Sequence, residues 1–247
     1  MANSLILGAT SAIAHETARL LAVRGDRLIL VGRDSKKLEH IAEDLRVLGA
    51  EQVDTVFQDL AAIEDYDQFV QLLISIAGQL DLVLLAHGTL PDQTQLQQHA
   101  ADTLQAIQLN GLSYIGLLTP LANYFEKQGS GCIAVITSVA GDRGRQSNYV
   151  YGAAKSLVTT FCQGLRNRLA KANVQVLTIK PGFTDSPMTA HIPKVGAIPW
   201  AKPEDIADGI LQAITKKKDV VYLPRFWQLI MLVIQHIPEV IFKKLSL

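Results

Sequence analysis

"LGATSAIAHETA", residues 7–18, decides the fold. An apolar run, "SLILG" at 4–8, leads into it, and a helical pattern over 12–24 leads out. A strand that passes through glycine and small residues into a helix has the outline of a dinucleotide-binding turn. Gly8 allows the tight turn, and a helix starting near Ser11 or Ala12 would aim free backbone N–H groups, such as those of Ala12 and Ile13, at a pyrophosphate. Thr10 and Ser11 add hydroxyl donors. The stretch holds one glycine only, so taken alone it also fits an ordinary strand-to-helix connection.

The same alternation continues along the chain. Strands are expected at 27–32, 52–58, 80–88, 131–138, 174–182 and 219–224. Helices are expected at 35–49, 65–77, 149–170 and 202–214, with one long helix or two over 99–127. The strands are uninterrupted apolar runs, as required when helices cover both faces of a sheet. The pattern predicts an α/β, Rossmann-type fold: a doubly wound, parallel, seven-stranded sheet with helices on both faces. Residues 1–224 read as one domain, and 225–247 as an apolar helical extension of it.

"LILVGRDSKKLE" ends the second strand, where a dinucleotide site meets the adenosine ribose. An acidic residue there favours a free 2′-hydroxyl and an arginine favours a 2′-phosphate. Gly32 and Arg33 stand there, so NADPH/NADP+ is expected over NADH, although an arginine before a helix is also an ordinary solvated residue. Asp34 reads as the cap of the next helix. Asp59, with Leu60 behind it, follows the third strand, where adenine could be contacted.

Composition narrows the function classes. Of 247 residues 49% are apolar, enough for a full core. Lys+Arg and Asp+Glu are 23 each, which argues against a nucleic-acid binder. Cys132 and Cys162 lack metal-type spacing and read as buried thiols in a reducing compartment, and no metal site is expected. The first residues, "MANSLILGAT", lack the basic and long apolar regions of a secretory signal, so a cytoplasmic location is expected.

"SNYVYGAAKS", 147–156, carries the chemistry. Residues i and i+4 share a helix face, so Tyr151 faces Lys155 while Tyr149 faces Ala153. An ammonium beside a phenol lowers the tyrosine pKa from near ~10 toward neutrality, where it can exchange a proton with a substrate. Such a pair also arises by chance on helices. Four further features accompany it. Asn110 lies in "QLNGLSYIG", and Ser138 ends the fifth strand thirteen residues before Tyr151. "KPGFTDSPM" closes the sixth strand with Pro181, Gly182, Thr184 and Ser186, while Ala86, His87 and Gly88 follow the fourth. These positions gather at the carboxyl ends of strands, where ligands bind in open α/β sheets.

Over residues 3–223 this order resembles the short-chain dehydrogenase/reductase family. Tyr151 and Lys155 match its Tyr-x-x-x-Lys, and Ser138 and Asn110 fall at its serine and asparagine positions. The resemblance implies a hydride transfer in which Tyr151 donates a proton to a carbonyl oxygen held by Ser138. It also implies that Lys155 lowers the Tyr151 pKa and binds the nicotinamide ribose, that Asn110 holds a water in the proton path, and that the chain forms a homodimer or homotetramer. Three motifs depart from the family. Its glycine-rich turn appears here as Leu7, Gly8, Ala12 and Ala14, and its Asn-Asn-Ala-Gly as Leu85, Ala86, His87 and Gly88. Ser186 stands where a threonine is usual. The alanines leave a second reading open: a cofactor-sensing or scaffold protein without turnover.

"SVAGDRGRQSNYVYGAAKS" and the tail are similar to the branch containing decaprenylphosphoryl 2-keto-pentose reductases, which implies a lipid-linked keto-sugar substrate. The tail, "PRFWQLIMLVIQHIPEVIFKKLSL" at 224–247, is apolar, flanked by Arg225, Lys243 and Lys244, and broken by Pro238. It is too short to span a bilayer. Three readings stand: peripheral contact with the inner face of a membrane or with a lipid-like substrate, packing across a dimer, or closure of its own subunit's pocket. Residues 183–200 read as a substrate lid.

Overall fold

The protein is described from a computed structural model, which covers residues 2–194 and 199–245. Seven parallel strands form one sheet: β1 (Asn3–Leu7), β2 (Arg27–Gly32), β3 (Gln52–Phe57), β4 (Leu82–Leu85), β5 (Cys132–Ile136), β6 (Gln175–Pro181) and β7 (Val220–Leu223). Their order is β3-β2-β1-β4-β5-β6-β7, with Leu5 opposite Ile29 on one side and Val83 on the other. The order reverses between β1 and β4, which opens a crevice at their carboxyl ends. The expected sheet is the observed one.

Strand residues alternate between two cores. Leu5, Leu7, Val83 and Val135 face helices α3 (Tyr66–Ala77), α6 (Ser113–Gln128) and α7 (Tyr149–Leu169). Ile6, Leu30, Leu84 and Ala134 face α1 (Ala12–Val23), α2 (Ser35–Leu48) and α8 (Pro203–Thr215). Each fully buried Leu or Ile contributes about 1.5–3 kcal/mol of hydrophobic stabilisation. Helix ends follow their sequence signals. Ser11, Asp34 and Asp65 accept from the backbone N–H three residues on, and Gly49 at φ +113° closes α2.

The region read as one or two helices over 99–127 is more broken. A single turn, α4 (Gln93–Leu96), precedes α5 (Ala100–Ile107), and a π-helical turn at Gln108–Leu112 separates α5 from α6. Side chains account for the wide turn. The Asn110 amide donates to Ala106 O and the Ser113 hydroxyl to Leu109 O, taking carbonyls that backbone N–H groups four residues on would otherwise use. β4 stops at Leu85, short of the expected 88, because Gly88 turns the chain at φ +144° and Thr89 N donates to Asn110 Oδ1.

The tail forms α9 (Trp227–His236) and α10 (Glu239–Phe242), parted at Pro238. Trp227 and Met231 pack on Val139, so the inner face of α9 closes its own subunit. Among the described residues no helix is long and apolar enough to cross a membrane. The expected lid, 183–200, includes 195–198, which lie outside the described residues. Phe183 and Trp200 stack at 5.1 Å, and Ala201 N donates to Phe183 O, so the two ends of this loop meet.

Candidate active site

The first βα turn is built around Gly8, whose φ of +85° favours glycine. A Cβ there would sit 2.6 Å from the His87 backbone N, so β1 and β4 approach too closely for any side chain. Ser11 is occupied as the α1 cap, accepting from Ala14 N at 3.3 Å, and leaves the N–H groups of Ala12 and Ile13 outside that bond. Ala14 is fully buried in the core, so its methyl fills the helix–sheet contact rather than the mouth of the crevice. Arg33 is exposed at the end of β2. Lys37, which the sequence reading missed, reaches back to donate to Thr10 O at 3.1 Å. An exposed turn of helix N–H groups beside two cations fits a dinucleotide with a pyrophosphate and a further phosphate. Asp59 lies at the end of β3, where its carboxylate accepts from Ala61 N within its own loop, and Leu60 is buried beneath.

Across the switch point, Ala86 N donates to Leu7 O and Gly88 presses on Asn110, whose side chain is fully buried. Asn110 braces the β4 loop through Thr89 N. His87 does a similar job where the family motif has no histidine. Its Nε2 shares a hydrogen bond with Ser113 Oγ at 2.8 Å, its ring stacks on Tyr114 at 3.9 Å, and its carbonyl accepts from the Tyr114 hydroxyl. Burial, then the Lys155 charge, pushes the His87 pKa well below the usual imidazole range, so it is neutral.

Ser138 follows β5 in extended conformation, its Oγ accepting from Ala140 N at 3.1 Å. That bond leaves the serine O–H free to donate. α7 begins at Tyr149, which is 44% exposed, whereas Tyr151 is half-buried. Burial pushes the Tyr151 phenol up to about 12, and a hydrogen bond with Ser138 pulls it the other way. Lys155 is buried, and burial pulls its pKa down to about 7. Its Nζ donates to Tyr114 OH at 3.2 Å and Ile136 O at 3.3 Å, and stands 5.9 Å from the Tyr151 ring centre. The i, i+4 expectation therefore needs correction on one point. The two residues share a face, but the lysine bonds Tyr114, and burial outweighs any lowering of the Tyr151 pKa. Tyr114 was missed because it is brought to Lys155 by the fold from 41 residues away.

Pro181 and Gly182 end β6, and Gly182 N donates to Leu223 O. A Cβ on Gly182 would fall 1.8 Å from Trp227 Nε1, so the tail seals this turn. The Thr184 hydroxyl donates to Gly182 O, and Ser186 caps the short turn Pro187–Thr189. A part-buried triad ties the loop after β5 to the ends of β6 and β7: Lys180 Nζ donates to Asp142 Oδ1 at 2.5 Å, and Tyr222 OH donates to Asp142 Oδ2 at 2.7 Å.

A family model described as short chain dehydrogenase matches residues 2–195. An uncharacterized oxidoreductase of Streptomyces coelicolor is 33% identical over 98% of this chain and 94% of its own. Another, from Mycobacterium tuberculosis, is 31% identical over 98% of this chain and 96% of its own. Among solved structures, a short-chain dehydrogenase from Sphingobium yanoikuyae in complex with NADPH aligns with a TM-score of 0.82, at 24% identity over 97% of both chains.

Proposed function

The chain belongs to the short chain dehydrogenase family of NAD(P)-dependent oxidoreductases, and from that premise we propose that it reduces a ketone or keto-sugar carbonyl with NADPH as the preferred cofactor. One observation carries the reading: Tyr151, hydrogen-bonded with Ser138, keeps its proton at neutral pH, where burial holds its pKa above the ordinary phenol value. A group in that state donates a proton to an oxygen that gains charge.

The bound nicotinamide would supply the hydride. Ser138, its hydroxyl proton free, would hold the carbonyl oxygen beside Tyr151. The Tyr151 proton passes to that oxygen and leaves a phenolate. Lys155, held by Tyr114 and Ile136 O, places an ammonium close enough to favour that phenolate. Asn110 would brace the β4 loop, accepting from Thr89 N and donating to Ala106 O, while its second N–H stays free to hold the water of the proton path. Arg33 and Lys37 are the cations placed to take a 2′-phosphate, and the NADPH held by the Sphingobium relative supports that reading.

The finer substrate reading is a carbonyl compound on a lipid carrier, as in the branch with decaprenylphosphoryl 2-keto-pentose reductases. The aromatic wall of Phe183, Trp200 and Trp227 supports it. The same reading includes a homo-oligomer, a cytoplasmic location and a peripheral membrane contact through 225–247. Tyr151→Phe should abolish turnover, a loss of at least ~100-fold for a proton donor, while NADPH binding stays within about twofold of wild type. A variant that retains most of its activity would assign the proton to another group.

A further inference from the structure

α9 has two faces. Trp227, Ile230, Met231 and Ile234 lie inward with Val139 and Phe183. Leu229, Leu232 and Val233 lie on the opposite stripe, spaced i, i+3, i+4, and are 67%, 54% and 59% exposed. Beyond Pro238, Val240, Ile241 and Leu245 are exposed as well. Outward aliphatics in this number mark an interaction surface.

Besides the packing of its inner face, one side chain ties the end of α9 to α10. Arg143 donates to the carbonyls of Ile234, Gln235 and Ile237 at 2.6, 3.2 and 2.6 Å. It also pairs with Glu239 at 2.9 Å and lies 3.7 Å over the Phe242 ring. Glu239 is the one carboxylate between 225 and 245, and Arg143 takes it. The exposed charge left on the strap is Arg225, Lys243 and Lys244, all positive.

A second observation lies beside the first. A cleft of about 400 Å³ separates the loop after Ser138 from α10, lined by Arg145, Gln146, Phe242 and Lys243, with Glu239, already paired to Arg143, also on its wall. Arg145 has a buried Nε with no hydrogen-bond partner, and no carboxylate pairs with its guanidinium among the described residues. Arg145 is part-buried with only the Asp142 charge acting on it, and beside Lys243 it favours an anion with several acceptor oxygens.

We propose that the α9–α10 strap docks on an anionic phospholipid bilayer, with its outward aliphatics at the acyl boundary and the Arg145–Lys243 cleft seating a lipid phosphate headgroup. The proposal rests on the peripheral-membrane part of the functional reading and names its partner. It also couples the surface to the site. Val139 beneath α9 and Arg143 beneath α10 both belong to the segment joining Ser138 to Tyr151, so a carbonyl compound borne by the bilayer reaches the catalytic groups from the docked face.

Co-sedimentation of the full chain with phosphatidylcholine vesicles, with and without phosphatidylglycerol, tests it, alongside the protein's mass in solution. Wild type should bind the anionic vesicles, more weakly as salt rises. L232E/V233E should lose binding to both vesicles. R145Q/K243Q should lose the preference for anionic vesicles, about thirtyfold for two interfacial cations. The exposed pair K243Q/K244Q should give a loss of the same size if the Arg145 variant does not fold. NADPH titration of every variant reads the cofactor site separately, so a failed reductase assignment and a failed docking proposal look different. Wild type that sediments with neither vesicle overturns the proposal. So does L232E/V233E that turns an oligomer into a monomer and leaves vesicle binding intact, which would give the face to a second copy.

Discussion

At the scale of single residues, two tyrosines two positions apart have opposite environments. Tyr149 is 44% exposed, while Tyr151 is half-buried beside Ser138. Tyr149→Phe should therefore leave kcat/KM within about twofold, since an exposed residue away from special features contributes within ±0.5 kcal/mol. Abolished turnover in that variant would mean the wrong phenol has been chosen. Lys155 makes a pH prediction. Its pKa, pulled down by burial to about 7, means that its ammonium is present below that value and lost as pH rises through it. The charge favours the phenolate left after proton donation, so kcat/KM for reduction should fall as pH rises through about 7. Lys155→Arg should move that limb upward if any activity survives, because guanidinium stays charged. A rate independent of pH from 6 to about 9 would contradict the role. The Gly8 turn and the shared helix face of Tyr151 and Lys155 were legible because residue type and local spacing carry them, whereas Ser138 drew its role from the family resemblance. Tyr114 and the His87 stack were not, since only the packing of α6 on β4 and α7 makes those contacts. Lys37 left a faint signal, a cation four places after Arg33 at the start of a helix.

At the scale of elements, the strands were the most legible part because buried parallel strands are plain apolar runs. The region from 93 to 128 was the least. Its periodicity predicts helix, but the amide of Asn110 and the hydroxyl of Ser113 take backbone carbonyls and widen one turn. That competition depends on rotamers, which periodicity does not encode. The Asp142–Lys180–Tyr222 triad was equally hidden, since its members come from the loop after β5 and the ends of β6 and β7. The side chains of Asp142 and Lys180 are 2% and 8% exposed. Removing one partner of such a pair strands a buried charge. Asp142→Ala should cost about 3–5 kcal/mol in urea unfolding. A loss below about 1 kcal/mol would be the behaviour of a solvated pair and would contradict the burial.

At the scale of the whole molecule, the crevice at the reversal between β1 and β4 brings the Gly8 turn, the Ser138–Tyr151–Lys155 group and the tail to the carboxyl end of the sheet. The tail was ambiguous in sequence because an apolar helix reads alike whether it meets its own subunit, a partner or a lipid. The structure assigns its inner face to its own subunit, through Val139 and Gly182. The departures at Ala12 and Ala14 looked like obstacles to a cofactor. Ala14 proves to be core packing, and Ala12 opens the helix whose N-terminus faces the crevice. The central claim, an NADPH-linked reductase, is tested most directly by fluorescence titration with NADPH and NADH on wild type and Arg33→Ala. The account predicts micromolar NADPH binding, NADH weaker by at least about tenfold, and loss of that preference in the variant. Binding of neither nucleotide to the folded protein would contradict it, and would leave a scaffold that keeps the fold without the reaction.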